Sequence, residues 1–385
     1  MISRLRLAAL LGAIAIALPL AAIGDILDIF KGEALTNGSQ FAFAPSTSKK
    51  IIVAVDTQEH EVAAEIEIPH IAHSVVASNE LDLLVATNPD KHSVTVINLY
   101  NREVIQELDI GMRPDVVLPN AYDRFITFGS KNGSVSTWDL ATFQQVLRVD
   151  GLTSALAITF SFDGSHLFVV EEERKRVSVI DMSARKKIAE IALGGAEDPA
   201  AKVSAMSRSA DGYTGYISVT SENRLVVVDL VDWSVKKSVP VGNGPIRPYS
   251  TADNRNVLVP NKNDQTLSVL SSFSHQVLAT IPTDVDARAV NTGWLDTVAF
   301  VMPATGNNVA VIDLREFEQK DPIRLPGRTD DGLVTSDSKT LLTSIVETGQ
   351  IAAISARSLE LEALIDSNAK TLHGIEIAVS NNVCH

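Results

Sequence analysis

Along most of the chain, short apolar runs dominated by Val and Ile alternate with clusters of Asn, Asp, Gly and Ser, the pattern of brief strands joined by tight turns. The segment from residue 157 shows the unit. Ala157-Ile-Thr-Phe-Ser-Phe-Asp-Gly predicts a strand and its turn, His166-Leu-Phe-Val-Val a second strand, Arg176-Val-Ser-Val-Ile-Asp181 a third and Lys187-Ile-Ala-Glu-Ile-Ala-Leu193 a fourth. The third strand recurs eight times, ending at Asp56, Asn98, Asp139, Asp181, Asp229, Ser271, Asp313 and Ser355. Successive ends are 42, 41, 42, 48, 42, 42 and 42 residues apart. A fixed period near forty with strand-like composition marks radial β-repeats, in which one unit is a blade that cannot bury both of its faces alone. The chain is therefore expected to be an all-β, eight-bladed β-propeller.

The ends of the chain predict how the ring closes. Before the first third-strand run there is one convincing strand, Gln40 to Ala44, and after the last full unit a solitary strand remains, His373-Gly-Ile-Glu-Ile-Ala-Val379. Pairing that C-terminal inner strand with the N-terminal strands over residues 40–68 completes one mixed blade and hides the sheet edges. Seven blades is the alternative count.

Three segments, Val177-Ser-Val-Ile-Asp181, Val309-Ala-Val-Ile-Asp313 and Val277-Leu-Ala-Thr-Ile-Pro282, resemble the repeat of the YVTN family of propellers, and the resemblance covers nearly the whole mature chain. The eight-fold count is also similar to the haem-binding propeller of bacterial cytochrome-type nitrite reductases. The WD-repeat family fits less well, since Trp138-Asp139 is a single WD pair. Such a resemblance implies architecture and says little about ligand.

The first residues change the picture from fold to compartment. Arg4 and Arg6 precede an apolar stretch from Leu7 to Leu18 and a small-residue site at Ala22-Ile23-Gly24, which predicts a secretory signal peptide over residues 1–24 and a single propeller domain over 25–385. A retained membrane anchor is the alternative. The protein is then expected in the periplasm or secreted, as a monomeric ring without stable membrane insertion after cleavage. Loss of the two arginines moves the formal charge from −14 to −16, and an acidic surface repels nucleic acid and anionic membrane. The one cysteine, Cys384, rules out an internal disulfide.

Inner strands of a propeller line its central channel, and the loops entering them form one rim. Aligned on the serine of Ser161-Phe-Asp-Gly, the rim positions are Asp330 and Asp331 in blade eight, His373 and Gly374 in blade one, His73 and Ser74 in blade two, and Pro114 and Asp115 in blade three. Blades six and seven present Arg247 and Arg288, whereas blades four and five offer only Leu156, Ala157, Ser204 and Ala205. Imidazoles at matching positions of adjacent blades suit a transition metal, so His73 and His373 are the candidate metal ligands, with Asp115 or Asp331 completing the set or orienting a histidine. His70 is an alternative to His73. Cys384 and His385 add a thiolate and an imidazole at the end of the closing strand, a pair able to hold zinc or copper. That terminus is similar to a c-type haem attachment motif, but Asn381 stands where its first cysteine belongs. Arg247 and Arg288 are candidate ligand-binding residues that would clamp carboxylates of a cofactor such as a haem propionate. The plain alternatives are strand-start histidines bonded to backbone, arginines bridged to channel aspartates and a frayed terminus.

Enzyme signatures are absent from the sequence: it has no G-x-S-x-G elbow, HExxH, phosphate loop or dinucleotide fingerprint. The sequence thus favours an exported binding protein that holds a metal ion or metal-containing cofactor at the channel mouth for delivery or assembly. An interaction scaffold whose acidic rim docks a protein partner, and an oxidoreductase or lyase using the same site, are the alternatives.

Overall fold

A computed structural model describes residues 34–377 apart from residues 37, 79, 121–123 and 195–201. The expected leader, and Cys384 and His385, lie outside the described residues. Eight four-stranded antiparallel sheets form the ring, which settles the count against seven. Every one of the eight predicted chain positions, from Asp56 to Ser355, is the last residue of the third strand of its blade.

The repeat signature has a local cause. At the end of the third strand the side-chain oxygen accepts backbone N–H groups two and three residues on: Asp181 takes those of Ser183 and Ala184, both at 2.8 Å, and Asp229 those of Val231 and Asp232 at 2.7 and 2.8 Å. Asp, Asn and Ser hold a turn closed in this way. The chain then reverses through a left-handed residue four positions after each anchor, at His60, Arg102, Phe143, Arg185, Trp233, His275, Phe317 and Leu359. The outer hairpin of each blade is a copy of the same turn.

Packing repeats as well. One cluster of buried side chains fills each seam between neighbouring blades, for example Phe168, Val179, Ile217 and Val226 between blades four and five. The eighth seam joins Leu342, Ile351 and Ile365 of blade eight to Val53 and Val55 of blade one, with Leu372 and Ile377 from the C-terminal segment wedged among them. Because a strand buried on both faces contributes apolar area to two seams, the ring is held by burial at every joint.

Closure follows the expected scheme with one correction. The C-terminal segment lies antiparallel to Phe41–Pro45, pairing Ala42 with Ile377 and Phe43 with Glu376, and a further bridge joins Ser46 to Leu372. Within the described residues the regular strand is only Glu376–Ile377. His373 and Gly374 precede it, Gly374 at a φ of 63°, so His373 stands on the approach to the strand and not in its ladder.

Candidate functional site

The loops entering the inner strands bring His73 and His373 together, their ring centroids 5.6 Å apart at an interplanar angle of 33°. Each is fixed by its backbone. The His73 N–H donates to the Thr87 carbonyl at 2.9 Å and the His373 N–H to the Pro45 carbonyl at 3.1 Å. Neighbouring Ser74 bonds to the Thr87 hydroxyl at 2.9 Å, which locks the entry to blade two against its second strand.

Asp330, and not Asp331, holds His373. The inner strand of blade eight, Thr329–Val334, carries a bulge between Thr329 and Gly332. One extra residue there turns two consecutive acids to different tasks, as bulges beside functional sites do. The Asp330 side chain is buried and lies 2.6 Å from His373 Nδ1; it also accepts the Gly374 N–H at 2.8 Å and pairs with Arg288 at 2.5 Å. Burial pushes its carboxyl pKa up, but the His373 hydrogen bond and charge, the Gly374 N–H and the Arg288 charge overcome this and hold it at about 2. Arg288 is itself the extra residue of a bulge between Ala287 and Ala289 in blade seven.

Asp331 presents an accessible surface at the channel. Its carboxylate accepts the Gly332 N–H at 2.8 Å. The protein crowds it enough that desolvation raises its pKa, against the opposing charges of Arg247 and Arg288. Arg247 thus acts on Asp331, while Arg288 serves both acids.

On the other side of the mouth Asp115 is taken up by Arg113, whose Nε donates to it at 2.7 Å and whose Nη1 reaches Asp90 at 3.0 Å. The Lys131 N–H binds the remaining Asp115 oxygen at 3.0 Å. His70 pairs with Glu107 on the outermost strand of blade two, Glu103–Asp109, at 2.8 Å, which takes it out of the constellation. Among the described residues no three His, Cys, Asp or Glu side chains converge as a ligand set for a bare zinc or copper ion.

The pKa values of the two rings are shifted in opposite directions. Desolvation lowers the His73 pKa, helped by the positive charges of His373 and Arg113, which favours the neutral imidazole. The Asp330 hydrogen bond raises the His373 pKa in spite of burial, and with Nδ1 engaged, Nε2 is the nitrogen that remains for a ligand. An imidazole favoured in its neutral form at His73 can coordinate a metal centre, and the charge favoured at His373, with Arg247 and Arg288 nearby, suits carboxylates.

The sequence places Asp330 and Asp331 together at this rim position but gives the histidine-orienting role to Asp331, and Arg113 is not among its candidates. The signal for Arg113 lay beside the chosen position, in Arg113-Pro-Asp115. The bulge that brings Asp330 to His373 has no mark in a two-residue strand pattern.

No protein-family model matches the chain, and no curated protein matches it. Among solved structures it is similar to the dihydro-heme d1 dehydrogenase NirN in complex with DHE, at 17% identity over 89% of this chain and 76% of that one, with a TM-score of 0.74. It is also similar to the Cps50 (Swd1) β-propeller domain of Myceliophteria thermophila, at 14% identity over 73% of this chain and 94% of that one, with a TM-score of 0.58. A functionally unknown protein from Desulfotomaculum acetoxidans DSM 771 matches at 12% identity over 88% of this chain and 99% of that one, with a TM-score of 0.61. At these identities the likeness shows the eight-bladed β-propeller fold of this chain, reached from coordinates as it was from the repeat.

Proposed function

We propose that this propeller is an exported binding protein that holds a haem-type cofactor at the mouth of its channel for delivery or assembly. The observation that carries the reading is the contact of His73 with His373 at 5.6 Å, beside a ring of arginines. A macrocycle that carries most of its metal's ligands itself would need from the protein little more than an imidazole and cations opposite its carboxylates, and this donor set fits that demand better than it fits a bare ion. His73, whose neutral form desolvation favours, would be the residue to bind such a group's metal. His373, oriented through Asp330, meets the cofactor through Nε2. Arg247 and Arg288 take the carboxylates. Such a cofactor supplies a redox-active iron; the protein supplies position, charge and shelter. The ligand named for the structural neighbour NirN is of the same chemical class.

Titration of the purified protein with haemin tests this. The expected result is a saturable shift of the visible absorption band, weakened at least about tenfold when His73 and His373 are both replaced by Gln, with the melting curve retained. If haemin leaves the spectrum unchanged, or the double variant binds as the parent does, the reading fails and an interaction scaffold is the better account.

A further inference from the structure

The first hairpin of a blade closes in one way in blades four, five, six and eight. A Ser or Thr hydroxyl donates to an Asp two residues on, at 2.7 Å for Ser161 to Asp163, 2.5 Å for Ser209 to Asp211, 2.6 Å for Thr251 to Asp253 and 2.7 Å for Thr335 to Asp337. One residue then takes the left-handed conformation: Gly164, Gly212, Asn254 or Ser338. Blade seven departs from this. Three consecutive residues that carry side chains, Trp294, Leu295 and Asp296, have φ of 51°, 57° and 58°. A run of left-handed L-residues is sterically costly and persists only where the surroundings over-determine it. They do so here. The Trp294 and Leu295 N–H groups bind the Ser338 carbonyl and hydroxyl of blade eight at 2.5 and 2.8 Å, and the Asp296 carboxylate accepts the Asp253 N–H of blade six at 2.8 Å.

The strained turn sets Trp294 at the edge of a cavity of about 250 Å³ between blades seven and eight. The cavity lies on the face of the ring that carries the first and outer hairpins, opposite the His73 and His373 mouth. Val298, Val311, Ala356 and Leu359 give it apolar walls, and Arg357 lies 5.4 Å from the centroid of the Trp294 ring. Two further cations line it but are already committed: Arg315 to Asp313 at 2.8 Å and Lys320 to Glu316 at 3.2 Å. Arg357, held over the indole, makes no ion pair or hydrogen bond among the described residues. A guanidinium stacked on an aromatic face keeps its planar fork of donors for an anion, and that fork matches a carboxylate. Pockets for drug-sized ligands run to about 300–1,000 Å³, so the occupant here is smaller.

We propose that this cavity is a second binding site, for a small organic acid with one carboxylate on a flat apolar body, the carboxylate on Arg357 and the body against Trp294 and the apolar walls. The site is independent of the channel mouth. Benzoate is the probe, with benzamide as its uncharged counterpart, and binding is read by titration calorimetry and by the fluorescence of Trp294 relative to a Trp294→Phe variant. Benzoate should bind in the millimolar range or tighter, benzamide at least about tenfold more weakly, and the exposed substitution Arg357→Gln should cost benzoate at least about tenfold in affinity while leaving haemin binding and the melting curve unchanged. Absence of benzoate binding, equal binding of benzamide, or full retention of benzoate affinity by Arg357→Gln would each overturn the proposal.

Discussion

Blade four and the seam between blades eight and one each bury a carboxylate under several donors, but only the seam sets a second, open carboxylate beside it. Glu171 in blade four is fully buried, yet every acceptor direction is filled. Arg176 grips both oxygens at 2.9 Å, Ser178 donates at 2.5 Å, and the Thr153 N–H and hydroxyl each donate at 2.8 Å. Burial pushes its pKa up and those donors bring it down to about 2. At the seam, the bulge gives Asp330 the same saturated treatment and leaves its neighbour Asp331 open to the channel with a raised pKa. A saturated carboxylate has no capacity left for a ligand and acts as structure; an open one at a mouth is where chemistry can be added. The comparison separates two kinds of polar burial that look alike in the sequence.

The strongest way to break the comparison is to remove the strand on which the seam depends. Deletion of residues 372–385 takes Leu372 and Ile377 out of the last seam and His373 out of the mouth. It should abolish the cooperative melting transition and produce aggregates on size-exclusion chromatography; an unchanged melt would refute the closure. Next comes Glu171→Ala, which leaves Arg176 only Glu190, at 2.8 Å, and strips the Ser178 and Thr153 donors of their acceptor; it should cost about 3 kcal/mol in denaturant unfolding. Haemin affinity should stay the same, since Glu171 bonds to Arg176, Ser178 and Thr153 and to neither His73 nor His373.

Asp330→Asn should cost less, about 2 kcal/mol, because the charge-assisted bonds to His373 and Arg288 weaken while the shape is retained. The pH dependence sharpens the test. The raised His373 pKa contributes stability that is present below its ordinary value near 6.5 and fades as pH rises through the folded pKa. The depressed Asp330 pKa contributes stability present above its ordinary value near 3.8 and lost as pH falls towards about 2. The parent should therefore gain most over Asp330→Asn between about pH 4 and 6.5, and the His373 resonances followed by NMR should titrate at lower pH in the variant. A flat difference across pH would show that the pair is not coupled. The smallest effect belongs to Asp331→Asn, which removes a carboxylate that the site disfavours in its charged form. Stability at neutral pH should change by less than about 0.5 kcal/mol, towards stabilisation, and a large loss would mean that Asp331 is as structural as Glu171.

The architecture was legible because its cause is local and repeated. An Asp, Asn or Ser that caps a turn through its own side chain has to recur wherever the turn recurs, and the eight third strands end where the sequence places them. The pairing of the two chain ends could also be read, since one blade lacked a strand and one strand lacked a blade. The site was only half legible. His73 and His373 came from matching repeat positions, which the ring makes adjacent. Asp330 and Asp331 both came from such positions, but which of them meets His373 did not, because a bulge is a one-residue change of register that shifts which side chain faces the channel, and Thr329-Asp-Asp-Gly332 gives no preference between its two acids. The strained turn at Trp294 was invisible for a related reason: Gly293-Trp-Leu-Asp296 departs from the Ser or Thr turn of blades four, five, six and eight, and its conformation is imposed by Ser338 and Asp253 from neighbouring blades.

The left-handed residue that ends each outer hairpin has a consequence for how this protein can be engineered and how it can drift. Eight positions need a conformation that favours Gly or Asn, and none of them holds either. Arg102 and Arg185 occupy two of these positions in turns at the rim of the ring. Replacing such residues by Asn or Gly relieves backbone strain of the order of 1 kcal/mol each, far from the channel mouth. The ring thus carries a distributed reserve of thermal stability that can be drawn on by substitution at its periphery, leaving its interior free to change its ligand.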